Sequence, residues 1–155
     1  MNARALLAAI AVACAAAVGA ALYAQHGLGM QPCPWCILQR LIYCVIALLA
    51  ALGALLPAPG RRAAGGLAGL LAVGGMAAAL WQNRVAARSA SCDLTVADRI
   101  VSGLGVDALW PAVFEVRASC ADAAVSVLGL PFEIWSLLLF IVVAGLAARV
   151  ALRRG

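Results

Sequence analysis

Two cysteines separated by two residues, Cys33-Pro34-Trp35-Cys36, stand between one apolar segment and the next. That spacing lets both sulfurs reach bonding distance or share a metal, and neighbours readily tune their thiolate character. Arg40 follows Cys36 by four residues, so any helix starting near Trp35 carries both on one face. An arginine just inside a membrane helix is costly and implies a task there. The plain alternative is a side chain that reaches back to the lipid headgroups.

Four more cysteines complete the set. Cys14 and Cys44 fall inside apolar windows, where a thiol behaves as a small apolar residue, and no chemistry is assigned to them. Cys33, Cys36, Cys92 and Cys120 can pair in three ways, and the sequence does not choose among them; Cys33 with Cys36 and Cys92 with Cys120 is the default resting arrangement. Zinc fits the spacing poorly, because 27 residues separate Cys92 from Cys120 and no histidine stands beside them, so no metal is expected. Purely structural bridges account for Cys92 and Cys120 but not for the Cys-x-x-Cys, whose closed loop is too small to remove much chain entropy. Catalysis accounts for all four. A thiolate from a soluble partner attacks an exposed disulfide of Cys92 and Cys120, and exchange with Cys33 and Cys36 then moves two electrons toward the membrane. A lipid-soluble acceptor must take them, and a quinone fits, with Arg40 hydrogen-bonding its carbonyl or holding Cys36 as thiolate.

The elements that must position these residues are membrane helices. Of 155 residues, 66% are apolar and only 11% charged, with a mean hydropathy of +1.06, far from the composition of soluble domains. The formal charge of +5 does not indicate nucleic acid, because no basic run is interleaved with aromatics. Four windows are long enough to cross a bilayer, about 5–24, 37–56, 63–81 and 130–148. The first is too long for the apolar region of a signal peptide, although Arg4 precedes it and Ala20 offers a small residue for cleavage. Arg4, Arg61, Arg62, Arg149, Arg153 and Arg154 flank the ends that four crossings place on one side, which is therefore expected to be cytoplasmic along with both termini. The opposite side receives loops of about 25–36 and 82–129, which hold Cys33, Cys36, Cys92 and Cys120 where disulfides persist.

No repeat or Ser-rich linker divides the chain, so one domain over 1–155 is expected, with Pro57-Ala58-Pro59-Gly60 as a tight connection. Short links, and Gly65, Gly66, Gly69, Gly74 and Gly75 permitting close approach, point to an all-α membrane protein: an antiparallel four-helix bundle with a long loop between helices 3 and 4. Within that loop Leu104, Val106, Leu109, Trp110, Val113 and Phe114 either lie along the membrane surface or close the loop over the bundle. The loop is expected to end at about Gly129, with Pro131 in the first turn of the last helix. Trp81 and Trp135 are expected to anchor helix ends at the interface.

Several of these residues together carry a family likeness: Gln25-His26, Pro32-Cys33-x-x-Cys36 with Arg40, Cys92-Asp93, Val113-Phe114 followed by Cys120-Ala121, and Leu128-Gly129-Leu130-Pro131. Over nearly its whole length the chain resembles the bacterial disulfide bond formation protein B (DsbB) family of inner-membrane quinone reductases. The resemblance implies a multi-pass inner-membrane enzyme whose periplasmic partner is a DsbA-like thiol oxidase and whose cofactor is a ubiquinone or menaquinone. It implies that Cys92 forms the mixed disulfide with the partner, that Cys120 resolves it and pairs transiently with Cys33, and that Cys36 faces the quinone as thiolate beside Arg40. Some members carry a histidine near the outer end of the third crossing, where this chain has Trp81-Gln82-Asn83-Arg84, so the resemblance leaves open whether that helix contacts the quinone here. His26, the one histidine, is expected to be a surface or loop residue. A vitamin K epoxide reductase relative uses similar parts, but the early Cys motif followed by Arg40 fits it less well. A disulfide-stapled scaffold is the non-enzymatic alternative.

Overall fold

The computed structural model describes residues 2–88 and 95–153. Helix α1 runs Ala3–Gly27 and starts where the Asn2 side chain accepts from the Ala5 amide at 2.8 Å. Helix α2 spans Pro34–Leu55, with Pro34 in its first turn and Cys33 as its cap, the sulfur accepting from the Cys36 amide at 3.4 Å. Helix α3 spans Ala58–Arg84. Only Leu56 and Pro57 separate α2 from α3, so most of the expected Pro57–Gly60 connection is in fact the first turn of α3, where Pro59 forfeits no hydrogen bond. These three helices and the last, α7 at Phe132–Leu152, are each long and apolar enough to cross a bilayer. The chain is an all-α, four-span membrane protein whose long loop lies between α3 and α7.

The loop-side helix ends outrun the apolar windows, because polar residues there turn inward. Gln25 and Gln82 are buried in α1 and α3 beyond where those windows stop. Pro131 lies one residue outside α7 rather than in its first turn, because strands β1 (Ser126–Val127) and β2 (Leu130–Pro131) form a short hairpin there. Its turn places Leu128 at φ 54° and Gly129 at φ 81°, the pair of left-handed residues that two-residue hairpins favour.

Leu7, Ile10, Cys14, Ile46, Ala72, Phe140 and Val143 form the main apolar core. Close helix approach depends on particular glycines. A Cβ at Gly75 would stand 2.4 Å from the Phe140 ring, and one at Gly65 would meet Val150 at 2.9 Å, whereas Gly66 and Gly74 have nothing within 4 Å. Phe140 in turn stacks on Tyr43 at 4.1 Å between ring centroids, and the Tyr43 hydroxyl donates to the Ser136 carbonyl at 2.9 Å.

Three short helices occupy the loop: α4 (Val96–Gly103), α5 (Val106–Leu109) and α6 (Pro111–Phe114). A reciprocal cap between Thr95 and Asp98 starts α4. Ala97, Val101 and Phe114 pack on Ile37 and Leu38 at the start of α2, so this part of the loop closes over the bundle. Leu104, Leu109 and Trp110 remain exposed, so the apolar loop stretch divides between the two arrangements expected of it. The Pro32 carbonyl accepts from the Arg117 and Ala118 amides at 3.0 and 3.3 Å, which fixes the loop beside the Cys motif.

Candidate redox site at the loop-bearing end of the bundle

The five buried polar or charged side chains among the described residues are Gln25, Gln39, Arg40, Gln82 and Glu133. All five belong to the loop-side ends of α1, α2, α3 and α7. Burying such groups without partners is expensive, and most of their polar atoms are paired. Gln39 Nε2 donates to Gln82 Oε1 at 2.6 Å, and Gln82 Nε2 donates to Cys36 Sγ at 3.2 Å. Arg40 Nη1 donates to Gln25 Oε1 at 2.8 Å and also to the Val113 carbonyl, which ties the arginine to the loop. Asn83 Nδ2 donates to Glu133 Oε1 at 2.9 Å. Arg40 is only 5% exposed and turns inward, not toward the rim.

Two sulfurs meet in this setting. Cys33 Sγ and Cys36 Sγ lie 2.9 Å apart as free thiols, a consequence of Cys33 capping the helix that Cys36 enters. Cys120, also a free thiol here, packs on Cys33 with Ala86, although 86 residues separate the two cysteines in the chain. Hydrogen bonding from Cys33 holds the Cys120 thiol below its ordinary range in spite of its burial. The same contact with Cys120, then that with Cys36, then burial push the Cys33 thiol up. Cys33 therefore stands as the protonated member between two partners.

Beside Cys36 opens a cavity of about 260 Å³, bordered by Cys36, Gln39, Arg40, Tyr43, Gln82 and Glu133, with Ala17, Ala20, Ala21 and Ala24 of α1 as an apolar wall. Arg40 Nε and Gln25 Nε2 are buried without a hydrogen-bond partner among the described residues. The pocket thus combines small apolar walls, a thiol and an arginine with one nitrogen not spent on the described residues.

Of the residues singled out from sequence, Cys33, Cys36, Cys120 and Arg40 come together, and Cys92 lies outside the described residues. Gln82 touches Cys36, so the third helix contributes a polar contact at this site. Gln39, Tyr43 and Glu133 were not singled out for the site, and their one signal is a polar group within an apolar window, near its loop-side end; Gln25, which meets Arg40, was quoted only within the family likeness. Trp135 borders the cavity while its Nε1 donates to the Val127 carbonyl at 3.0 Å, whereas Trp81 is half exposed and pairs with Trp35. His26 is exposed at the end of α1, its Nε2 at 3.0 Å from the Ala112 carbonyl. Cys14 is fully buried in the core and Cys44 half-buried, as apolar packing residues.

A family model described as disulfide bond formation protein DsbB matches residues 3–150. The chain belongs to the DsbB family. The match takes in Cys33, Cys36, Cys92 and Cys120 and all four long helices but for the last two residues of α7. Among DsbB relatives, disulfide bond formation protein B 1 of Pseudomonas syringae pv. syringae (strain B728a) is 39% identical over 150 residues, covering 93% of this chain and 86% of the relative. Disulfide bond formation protein B of Nitrosospira multiformis is 33% identical over 157 residues, covering 97% and 92%. That of Ralstonia nicotianae is 35% identical over 144 residues, covering 92% and 90%. No solved structure matches this DsbB-family chain.

Proposed function

We propose that the chain is a thiol:disulfide oxidoreductase of the bacterial inner membrane that reoxidises a periplasmic DsbA-like dithiol oxidase and passes the electrons to a ubiquinone or menaquinone. Both termini lie in the cytoplasm, and residues 1–155 form one integral membrane domain. One observation carries the reading: Cys36, in contact with Cys33 on one side, borders an apolar cavity together with Arg40, whose Nε is buried without a partner among the described residues. The donor set fits a quinone, whose carbonyl oxygens only accept, and the alanine wall of α1 suits its ring. When bound there, a quinone supplies a sink for two electrons and two protons within the bilayer.

The chain's own residues supply the rest. Cys92 takes the partner's thiolate, and Cys120 is released as the leaving thiolate, a role that its lowered proton affinity favours. Cys120 packs on Cys33, so its attack on a Cys33–Cys36 disulfide, which releases Cys36 as thiolate, needs little movement; the partner's second thiol then frees Cys92, which bonds Cys120 again and leaves Cys33 and Cys36 reduced. Cys33 and Cys36 then give up two electrons as their sulfurs join, a short step from 2.9 Å. Gln82 holds Cys36 through its sulfur, and Gln39 fixes the Gln82 amide so that its nitrogen faces that sulfur. Arg40 orients the acceptor and balances negative charge in the cavity.

Purified protein in detergent, given a reduced periplasmic dithiol protein with and without added quinone, tests this reading. Turnover is expected to depend on quinone and to vanish in Cys36→Ser and in Cys92→Ser with folding intact. Turnover without quinone, or its survival in either variant, overturns the route.

A further inference from the structure

Quinone reduction consumes two protons as well as two electrons, and the sulfur chemistry does not say how a proton reaches the buried cavity. Most of the polar groups bordering it are unsuited to carry one. Gln39 and Gln82 do not titrate, Arg40 does not give up its proton, and the Tyr43 hydroxyl is spent on the Ser136 carbonyl. Cys36 is the electron donor. Glu133 remains, the one carboxyl bordering the cavity among the described residues. It is 5% exposed, forms no ion pair among the described residues, and its only hydrogen-bond partner among them is the neutral amide of Asn83. It also sits in the first turn of α7, one turn from the loop and its water.

We propose that Glu133 is the proton relay of this site, passing one of the two protons to the bound quinone. The inference rests on the quinone reading above. The balance is complete. Cys33 and Cys36 each lose a proton, their sulfurs join and release two electrons, and the quinone takes up two electrons and two protons to become the quinol. Glu133 gives one proton to a quinone carbonyl oxygen and regains one from the loop side, and the second proton comes from the dithiol. Its surroundings are sparse in charge: α2 presents Cys36, Arg40 and Tyr43 to the cavity, α3 presents the neutral Gln82 and Asn83, and α1 presents no titratable side chain.

Glu133→Gln keeps the shape and the Asn83 contact while removing the acidic proton. Quinone binding is read by quenching of tryptophan fluorescence, and reoxidation of the Cys33 and Cys36 dithiol by rapid mixing at saturating quinone. Affinity within about threefold of wild type and a rate lower by about 10²-fold are expected. Glu133→Ala, assayed with and without added formate as a small diffusible acid, serves as the second variant if Glu133→Gln does not fold, and formate should raise its rate by about tenfold or more. An unchanged rate in Glu133→Gln, a loss confined to affinity, or a slow Glu133→Ala that formate does not speed overturns the relay. Wild-type protein that neither binds quinone nor is reoxidised by it overturns the quinone reading instead, whatever the variants do.

Discussion

The same four long helices build two unlike ends. Away from the loop, Gly53 faces Ala64, Gly65 faces Val150, and Leu7, Ala50, Ala147 and Val150 are fully buried without a polar side chain among them. At the loop end the helices hold all five buried polar side chains and a cavity of about 260 Å³. In a bilayer the lipid tails are as apolar as leucine, so association at the first end rests on close packing by small residues. The second end forgoes that packing and holds its helices partly by hydrogen bonds, from Gln39 to Gln82, Arg40 to Gln25 and Asn83 to Glu133. The difference teaches where to look for chemistry in an all-apolar bundle: where close packing is given up and polar groups are buried in its place.

The sharpest way to break the comparison is Arg40→Met, which keeps the apolar stem and removes the charge. If Arg40 serves the cavity, quinone-dependent turnover should fall by about 10²-fold or more, the usual cost of losing a donor aimed at developing negative charge. The Gln25 side-chain and Val113 backbone carbonyls would also lose a donor, costing about 1–3 kcal/mol each where they stay buried. Steady-state rates against quinone concentration, with thermal unfolding in detergent, separate the two effects. A variant that loses stability alone would make this end as purely structural as the other.

A smaller and opposite effect is expected from Gly75→Ala. Its new methyl would meet the Phe140 ring, and the ring is pinned by its stack on Tyr43, so overpacking of about 1–3 kcal/mol should lower the unfolding temperature. Gly74→Ala, one residue away, meets nothing within 4 Å and should be neutral or stabilising by up to about 1 kcal/mol through helix propensity. Equal effects at the two positions would show that packing at the glycine face does not set the stability of this bundle.

What could be read from sequence divides along the same line. The four long helices announce themselves as apolar windows, and the Cys33, Cys36 and Arg40 spacing follows from helix geometry alone, because Cys36 and Arg40 share a face. Gln82, Glu133 and Gln25 were not legible as site residues. Each is a polar residue near a window's end, where most such side chains face headgroups or water. Only tertiary packing decides that Gln82 turns toward Cys36 and Gln25 toward Arg40. The glycines show the same limit: Gly74 and Gly75 are neighbours in sequence, but only one faces a helix. The hairpin before α7 was missed because its turn uses Leu128, a residue that rarely takes positive φ.

The finest distinction lies within the sulfur cluster. Cys120 is held below the ordinary thiol range because Cys33 donates to it, and Cys33 is pushed up in return. A lowered thiol is reactive as thiolate at pH values where an ordinary one, near about 8.5, is still protonated, and loses that reactivity only as pH falls through its own lower value. In the fully reduced protein, alkylation by iodoacetamide followed residue by residue with mass spectrometry should therefore label Cys120 at lower pH than Cys33. Cys33→Ala removes the donor, so the Cys120 curve should move to higher pH, toward that of an unperturbed thiol. Cys36→Ala should leave Cys120 labelling first, since the hydrogen bond from Cys33 is the largest influence on it. A Cys120 curve indifferent to Cys33 would mean that the two sulfurs are not in contact in the reduced protein, and that their exchange needs a rearrangement of the loop.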